Sequence, residues 1–121
     1  MTARVLVVED DESMRQLLRL HLSAAGYDVT VAEDGIAAGY AVLKTTPDLI
    51  ICDVEMPNMD GLQFIGALRD DKSLPKMPVI FLTSVAEADA RARELGAVAF
   101  LTKPVLADWL LTAVRQALQE K

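Results

Sequence analysis

Four stretches of the chain are apolar almost without interruption: Val5 to Val8, Leu49 to Cys52, Val79 to Leu82 and Val98 to Leu101. Each is too short for a helix core and too continuous for a half-exposed strand, so each predicts a strand covered on both faces and placed at or near the centre of a sheet. Tyr27-Asp28-Val29-Thr30-Val31 instead alternates apolar with polar, which predicts a strand at an edge. Between these runs the apolar spacing changes to that of helices. Met14, Leu17, Leu18, Leu22 and Ala25 fall on one face of a first helix that Gly26 ends, and Ser13 with Gln16 resembles a capping box. Further helices are predicted from about Ile36 to Lys44, from Asp60-Gly61 through Leu62, Ile65 and Leu68, over Glu87 to Leu95, and over Leu106 to Leu118. Strand and helix thus alternate five times, the signature of βαβ units around a parallel sheet. No repeat or linker interrupts them, and residues 1–121 are expected to form a single domain.

Composition narrows the class further. A length of 121 residues, 52% hydrophobic and 25% charged, suits one globular domain with a continuous core. The net charge of −6 and the lack of a basic stripe argue against direct nucleic-acid binding. The start of the chain has neither the length nor the flanks of a signal peptide or membrane span. Cys52 is the only cysteine; it reads as a packed thiol and suits a reducing, cytoplasmic compartment.

In an open parallel sheet the ligand site lies beyond the carboxyl ends of the strands. The residues there are Glu9-Asp10-Asp11, Asp53, Thr83-Ser84 and Lys103-Pro104. Taken singly, Asp11 reads as a helix cap or a solvated loop residue, Thr83-Ser84 as a cap, and Lys103 as surface charge. Taken together, they bring acids, hydroxyls and an ammonium to one end of the sheet. Converging carboxylates call for a cation. Mg²⁺, which takes oxygen ligands from one or two carboxylates, waters and phosphate oxygens, fits that need. A metal, a lysine and a hydroxyl would stabilise a transferring phosphoryl group, and Asp53 is the candidate nucleophile.

The motifs Val7-Val8-Glu9-Asp10-Asp11, Asp53-Val54-Glu55-Met56-Pro57-Asn58-Met59-Asp60-Gly61, Leu82-Thr83-Ser84 and Phe100-Leu101-Thr102-Lys103-Pro104 resemble the receiver domain of two-component response regulators across essentially the whole chain. The resemblance implies a flavodoxin-like (βα)5 doubly wound fold with strand order 2-1-3-4-5. It implies that Asp53 is the phosphoacceptor, that Asp10 binds Mg²⁺ directly, that Glu9 acts on the metal, often through water, and that Glu55 adds its backbone carbonyl. Thr83 and Lys103 would contact phosphoryl oxygens, the bond into Pro104 would be cis, and Thr83 with Phe100 would form the switch. Glu55 and Val85 match positions that tune phosphoryl lifetime. Most relatives carry Asp where Glu9 stands. Partners implied are a sensor histidine kinase or histidine phosphotransfer protein and a downstream target protein, with a homodimer through the fourth helix, fifth strand and fifth helix as a further option. No membrane partner and no turnover of a separate substrate are expected. With no effector sequence after Lys121, the output is expected to be a protein contact; a receiver cut from a longer regulator would read the same.

Other readings fit less well. A flavodoxin would need a phosphate-cradling first loop, where Glu9-Asp10-Asp11 would repel the anion. A phosphatase with an aspartate nucleophile would need a cap or a long insertion, and a purely structural interaction domain would not need the acids, Thr83 and Lys103. Met56 and Met59 read as loop packing. His21 lies mid-helix, away from every strand end.

Overall fold

The computed structural model describes residues 2–57, 59–84 and 89–119. Along these residues the chain alternates β1 (Arg4–Val8), α1 (Glu12–Ala24), β2 (Asp28–Ala32), α2 (Gly35–Lys44), β3 (Leu49–Asp53), α3 (Gly61–Asp70), β4 (Val79–Thr83), α4 (Asp89–Glu94), β5 (Ala99–Thr102) and α5 (Ala107–Gln119). All neighbouring strands pair in parallel, in the order β2-β1-β3-β4-β5. This is the flavodoxin-like order that the receiver-domain resemblance implied. The expected start of the fourth helix at Glu87, and Val85 before it, lie outside the described residues.

Because successive strand side chains point to opposite faces, each apolar run supplies two cores. Leu6, Val8, Ile50, Cys52, Val79 and Phe81 pack with Ala38, Val42, Phe64, Ile65, Ala92 and Leu95 of α2, α3 and the α4 region. Val5, Val7, Leu49, Ile51, Ile80 and Leu82 pack on the other face with Leu18 and Leu22 of α1 and Leu110 and Val114 of α5. At about 25 cal/mol per Å² of buried apolar surface, these two layers dominate the stability of the fold.

Three local expectations need correction. The fifth strand is an edge strand of partly exposed residues, and Val98 precedes it at 44% exposure. A continuous apolar run reports helices above and below a strand, and says nothing about a neighbour on each side. On α1, Leu17 is 45% exposed and Ala25 is also exposed, because the buried stripe is the narrower Leu18–Leu22 pair, flanked by Met14. That helix starts two residues earlier than the Ser13–Gln16 pattern suggested: Asp11 is its cap, accepting 2.8 Å from the Met14 N–H. At its other end Gly26, at φ 98°, adopts the left-handed conformation that the stop requires.

Candidate functional site

The strands deliver the candidate residues to one end of the sheet, as parallel pairing demands. Val8 pairs with Cys52 and Asp53 with Leu82, so the segments that follow β1, β3 and β4 emerge side by side. Glu9 is held to the sheet by its N–H, 3.0 Å from the Ala32 carbonyl. Arg15 on α1 donates to the carbonyls of Glu9 at 3.0 Å and Asp10 at 3.3 Å and fastens the acidic loop. The end of β3 is fixed by the start of α3. The Gly61 N–H reaches the Val54 carbonyl at 2.9 Å, and a Cβ on Gly61 would lie 2.2 Å from the Asp53 carbonyl oxygen. Only glycine permits that approach. Asp60 and Gln63 close a reciprocal capping box around it.

Glu9, Asp53 and Thr83 are buried, and they are polar side chains in an otherwise apolar interior. One carboxylate oxygen each from Glu9, Asp10 and Asp53 lies within 4.8 Å of the other two. Asp53 is doubly anchored: Oδ1 accepts from the Glu55 N–H at 3.1 Å, and Oδ2 accepts from Lys103 Nζ at 2.9 Å. Lys103 also stands 3.6 Å from Glu9 Oε1. Glu9 Oε2 accepts from the Asp11 N–H at 3.1 Å, whereas the buried Oε1 receives no hydrogen bond.

These environments move the protons. Burial, with the neighbouring Asp53 adding to it, pushes the Glu9 carboxyl up to about 8. Burial likewise holds Asp53 above the usual aspartate range, although Lys103 pulls the other way. For Lys103 burial would favour the neutral amine, but the Asp53 hydrogen bond and the surrounding acids outweigh it and keep the ammonium charged. The unsatisfied Glu9 oxygen and three convergent carboxylates fit a hard divalent ion with oxygen ligands.

Glu55 does something that its place in the sequence did not suggest. Its carboxylate accepts from the Thr83 hydroxyl and, on the other oxygen, from the Ser84 N–H at 2.9 Å and the Ser84 hydroxyl at 2.8 Å. Burial alone would raise this carboxyl, yet those bonds from Thr83 and Ser84 prevail and hold it below the ordinary range. The side chain of Glu55, expected to lend the metal its backbone carbonyl and to tune phosphoryl lifetime, therefore also engages the Thr83 hydroxyl. Arg15 and Ser84 were likewise missed as partners. Their signal was faint, since one lies a full turn into α1 and the other is an ordinary post-strand serine.

The other assignments sort cleanly. The Lys103–Pro104 bond is cis. Phe100 is partly buried against the core and pairs in register with Phe81. Asp11 serves as a cap, Cys52 is a buried free thiol, and Met56 packs into the core, while Met59 is 39% exposed. His21, expected mid-helix, instead occupies the last turn of α1, because the helix ends at Ala24, and it lies at the far end of that helix from the acids. No described helix is long and apolar enough to cross a membrane.

Known proteins resemble this chain in sequence and fold. The chain is 43% identical over 122 residues to the transcriptional regulatory protein GlrR of Escherichia coli, covering 98% of the chain and 27% of that protein. It is 34% identical over 118 residues to the DNA-binding dual master transcriptional regulator RpaA of Synechocystis, covering 96% of the chain and 49% of that protein. The chain thus spans half or less of the length of these curated relatives. The structure superposes on the chemotaxis protein CheY4 of Vibrio cholerae with a TM-score of 0.89 at 34% identity, covering 97% and 99% of the two chains. With the response regulator receiver domain profile matching residues 5–115, the chain belongs to the response regulator receiver domain family.

Proposed function

We propose that the chain takes a phosphoryl group onto Asp53 from a phosphohistidine on a sensor kinase or phosphotransfer protein, in a Mg²⁺-dependent reaction, and so switches a protein-binding surface. The observation that carries this reading is the buried Asp53 carboxylate, held at 2.9 Å by Lys103 beside Glu9 and Asp10. In the transfer a carboxylate oxygen of Asp53 forms the new P–O bond, the P–N bond to the donor imidazole breaks, and the imidazole nitrogen keeps the electron pair. Lys103 is placed to neutralise charge on an equatorial phosphoryl oxygen, and Thr83 to donate to another. Glu9, Asp10, Asp53 and the Glu55 carbonyl would hold Mg²⁺, which supplies charge stabilisation to the incoming phosphoryl group.

Phosphorylation adds roughly −1.5 to −2 charges and three acceptor oxygens at Asp53. Thr83 must then leave Glu55 for the phosphoryl group, so the Glu55–Thr83–Ser84 bonds belong to the resting arrangement. Departure of Thr83 opens space beside β4 that Phe100 fills from β5, which changes the face formed by α4, β5 and α5. Turnover is limited to the chain's own phosphorylation and dephosphorylation, in the cytoplasm with a downstream target protein.

Acetyl phosphate with Mg²⁺ should add one phosphoryl group, as read by mass spectrometry. Asp53→Asn, an amide of the same shape, should abolish labelling and EDTA should suppress it. Undiminished labelling of Asp53→Asn would refute the assignment.

A further inference from the structure

Helix α2 bears a row of large apolar side chains that the fold leaves uncovered. Ile36, Tyr40 and Leu43 are 71%, 72% and 70% exposed. Their spacing of four and then three residues puts them on one face, while Ala38 and Val42 turn toward the core. Ile36, Tyr40 and Leu43 also line a hollow of about 390 Å³ between α2 and α3, together with Gly39, Met59 and the acidic Asp71. Single exposed apolar residues are ordinary, but a contiguous row beside an apolar hollow marks a docking face. Gly39 adds a separate sign. A glycine inside a helix costs about 0.5–1 kcal/mol relative to alanine, yet a Cβ there would meet nothing within 4 Å. Nothing in this chain's own packing requires glycine at that place, whereas close approach of another backbone would.

We propose that this face docks a second copy of the chain, with the two α2 helices antiparallel about a two-fold axis near Gly39. A two-fold contact needs a patch that complements itself, and here the exposed α2 row borders the hollow it helps to line, so ridge and recess share one patch. Charge selects the same geometry. Glu33 and Asp34 stand at the N-terminal end of the row and Lys44 at its C-terminal end, with no charged residue from Gly35 to Leu43. Antiparallel docking lays each acidic end against the other copy's Lys44 and opposes the helix dipoles; parallel docking would set like charges together. Elsewhere the net charge of −6 disfavours self-contact, so the uncharged row is where two copies approach at least cost.

The contact is independent of phosphorylation, so its test uses unphosphorylated protein without a phosphodonor. One helix face per copy lies at the small end of specific interfaces, below ~1,200 Å² in total, and predicts weak association. Sedimentation equilibrium from about 10 µM to 1 mM should show a reversible monomer–dimer transition. Tyr40→Glu should hold the chain monomeric throughout with an unchanged circular dichroism spectrum. Glu33→Lys and Lys44→Glu should each weaken the dimer by about three- to tenfold, and the two together should restore it. Trp109→Glu, on α5 at the opposite side of the sheet, should have no effect. A wild-type monomer at 1 mM would overturn the proposal and leave the face to a different protein. Loss of the dimer in Trp109→Glu, its survival in Tyr40→Glu, or failure of the double charge exchange to restore it would also overturn the proposal.

Discussion

Removing the Glu55 carboxylate should release the switch before any phosphoryl group arrives. The Thr83 hydroxyl and both Ser84 donors converge on this one side chain. A hydrogen bond to a charged acceptor contributes roughly 1.5–3 kcal/mol net, and exposed ones contribute much less. Thr83 is buried and Ser84 is exposed, so the Thr83 bond dominates. Allowing for water to satisfy the freed hydroxyl, Glu55→Ala should move the resting equilibrium by about 1–2 kcal/mol, or roughly five- to thirtyfold. Only the difference between the two arrangements counts in that shift. The assay is the NMR position of the Phe100 and Ser84 amides in protein without metal or phosphoryl mimic, compared with the limit set by beryllofluoride and Mg²⁺. Glu55→Ala should lie part-way toward that limit, and Glu55→Gln, which keeps one acceptor oxygen, should lie between it and wild type. The mimic should bind Glu55→Ala more tightly by a similar factor. Loss of a negative charge would also favour an anion, so Thr83→Ala supplies the control. In that background Glu55→Ala should gain little. If the gain were undiminished there, or if Phe100 did not move in the free protein, Glu55 would act through charge alone and the restraint on Thr83 would have to be given up.

Two further outcomes follow from the site and from its scaffold. With metal removed by EDTA, stability should fall as pH rises. Glu9, raised to about 8, contributes stability that is fully present below its ordinary value and lost as pH passes through about 8, at a slope of at most ~1.4 kcal/mol per pH unit; urea titrations should show the slope, and Glu9→Gln or saturating Mg²⁺ should flatten it. Glycine substitutions should separate in sign. Gly61→Ala, whose Cβ would meet the Asp53 carbonyl oxygen at 2.2 Å and Cys52 Sγ at 2.9 Å, should lose about 2–3 kcal/mol in urea unfolding, whereas Gly39→Ala should gain about 0.5–1 kcal/mol.

Most of the fold was legible because the apolar runs carry it directly. Leu49 to Cys52 and Val79 to Leu82 are buried throughout, and their alternate residues feed two different cores. The alternating Asp28 to Val31 segment does lie at an edge. Val98 to Leu101 misled because an edge strand flanked by helices can be as apolar as a central one. The starts of α2, α3 and α5 were legible to within a residue, at Ile36 against Gly35, after Asp60, and at Leu106 against Ala107. Before α1, several side chains could serve and the backbone chose Asp11.

The candidate site divides along a different line. Residues fixed by strand ends, namely Glu9, Asp53, Thr83 and Lys103, could be placed together from topology alone, since parallel strands must deliver their carboxyl ends to one side. Residues whose role depends on side-chain reach could not. Glu55 lies two residues past β3, and its carboxylate bridges to β4 only because Asp53 and Leu82 are in register. Sequence spacing of 28 residues between Glu55 and Thr83 carries no trace of that contact. The same register that assembles the acids therefore also creates a competitor for the hydroxyl on which the proposed switch depends. Burial raises Glu9 and Asp53, which favours a cation, while Thr83 and Ser84 keep Glu55 ionised at the rim. An incoming phosphoryl group would thus meet two demands, neutralisation of the inner acids and displacement of the outer one, and only the first is met by a metal.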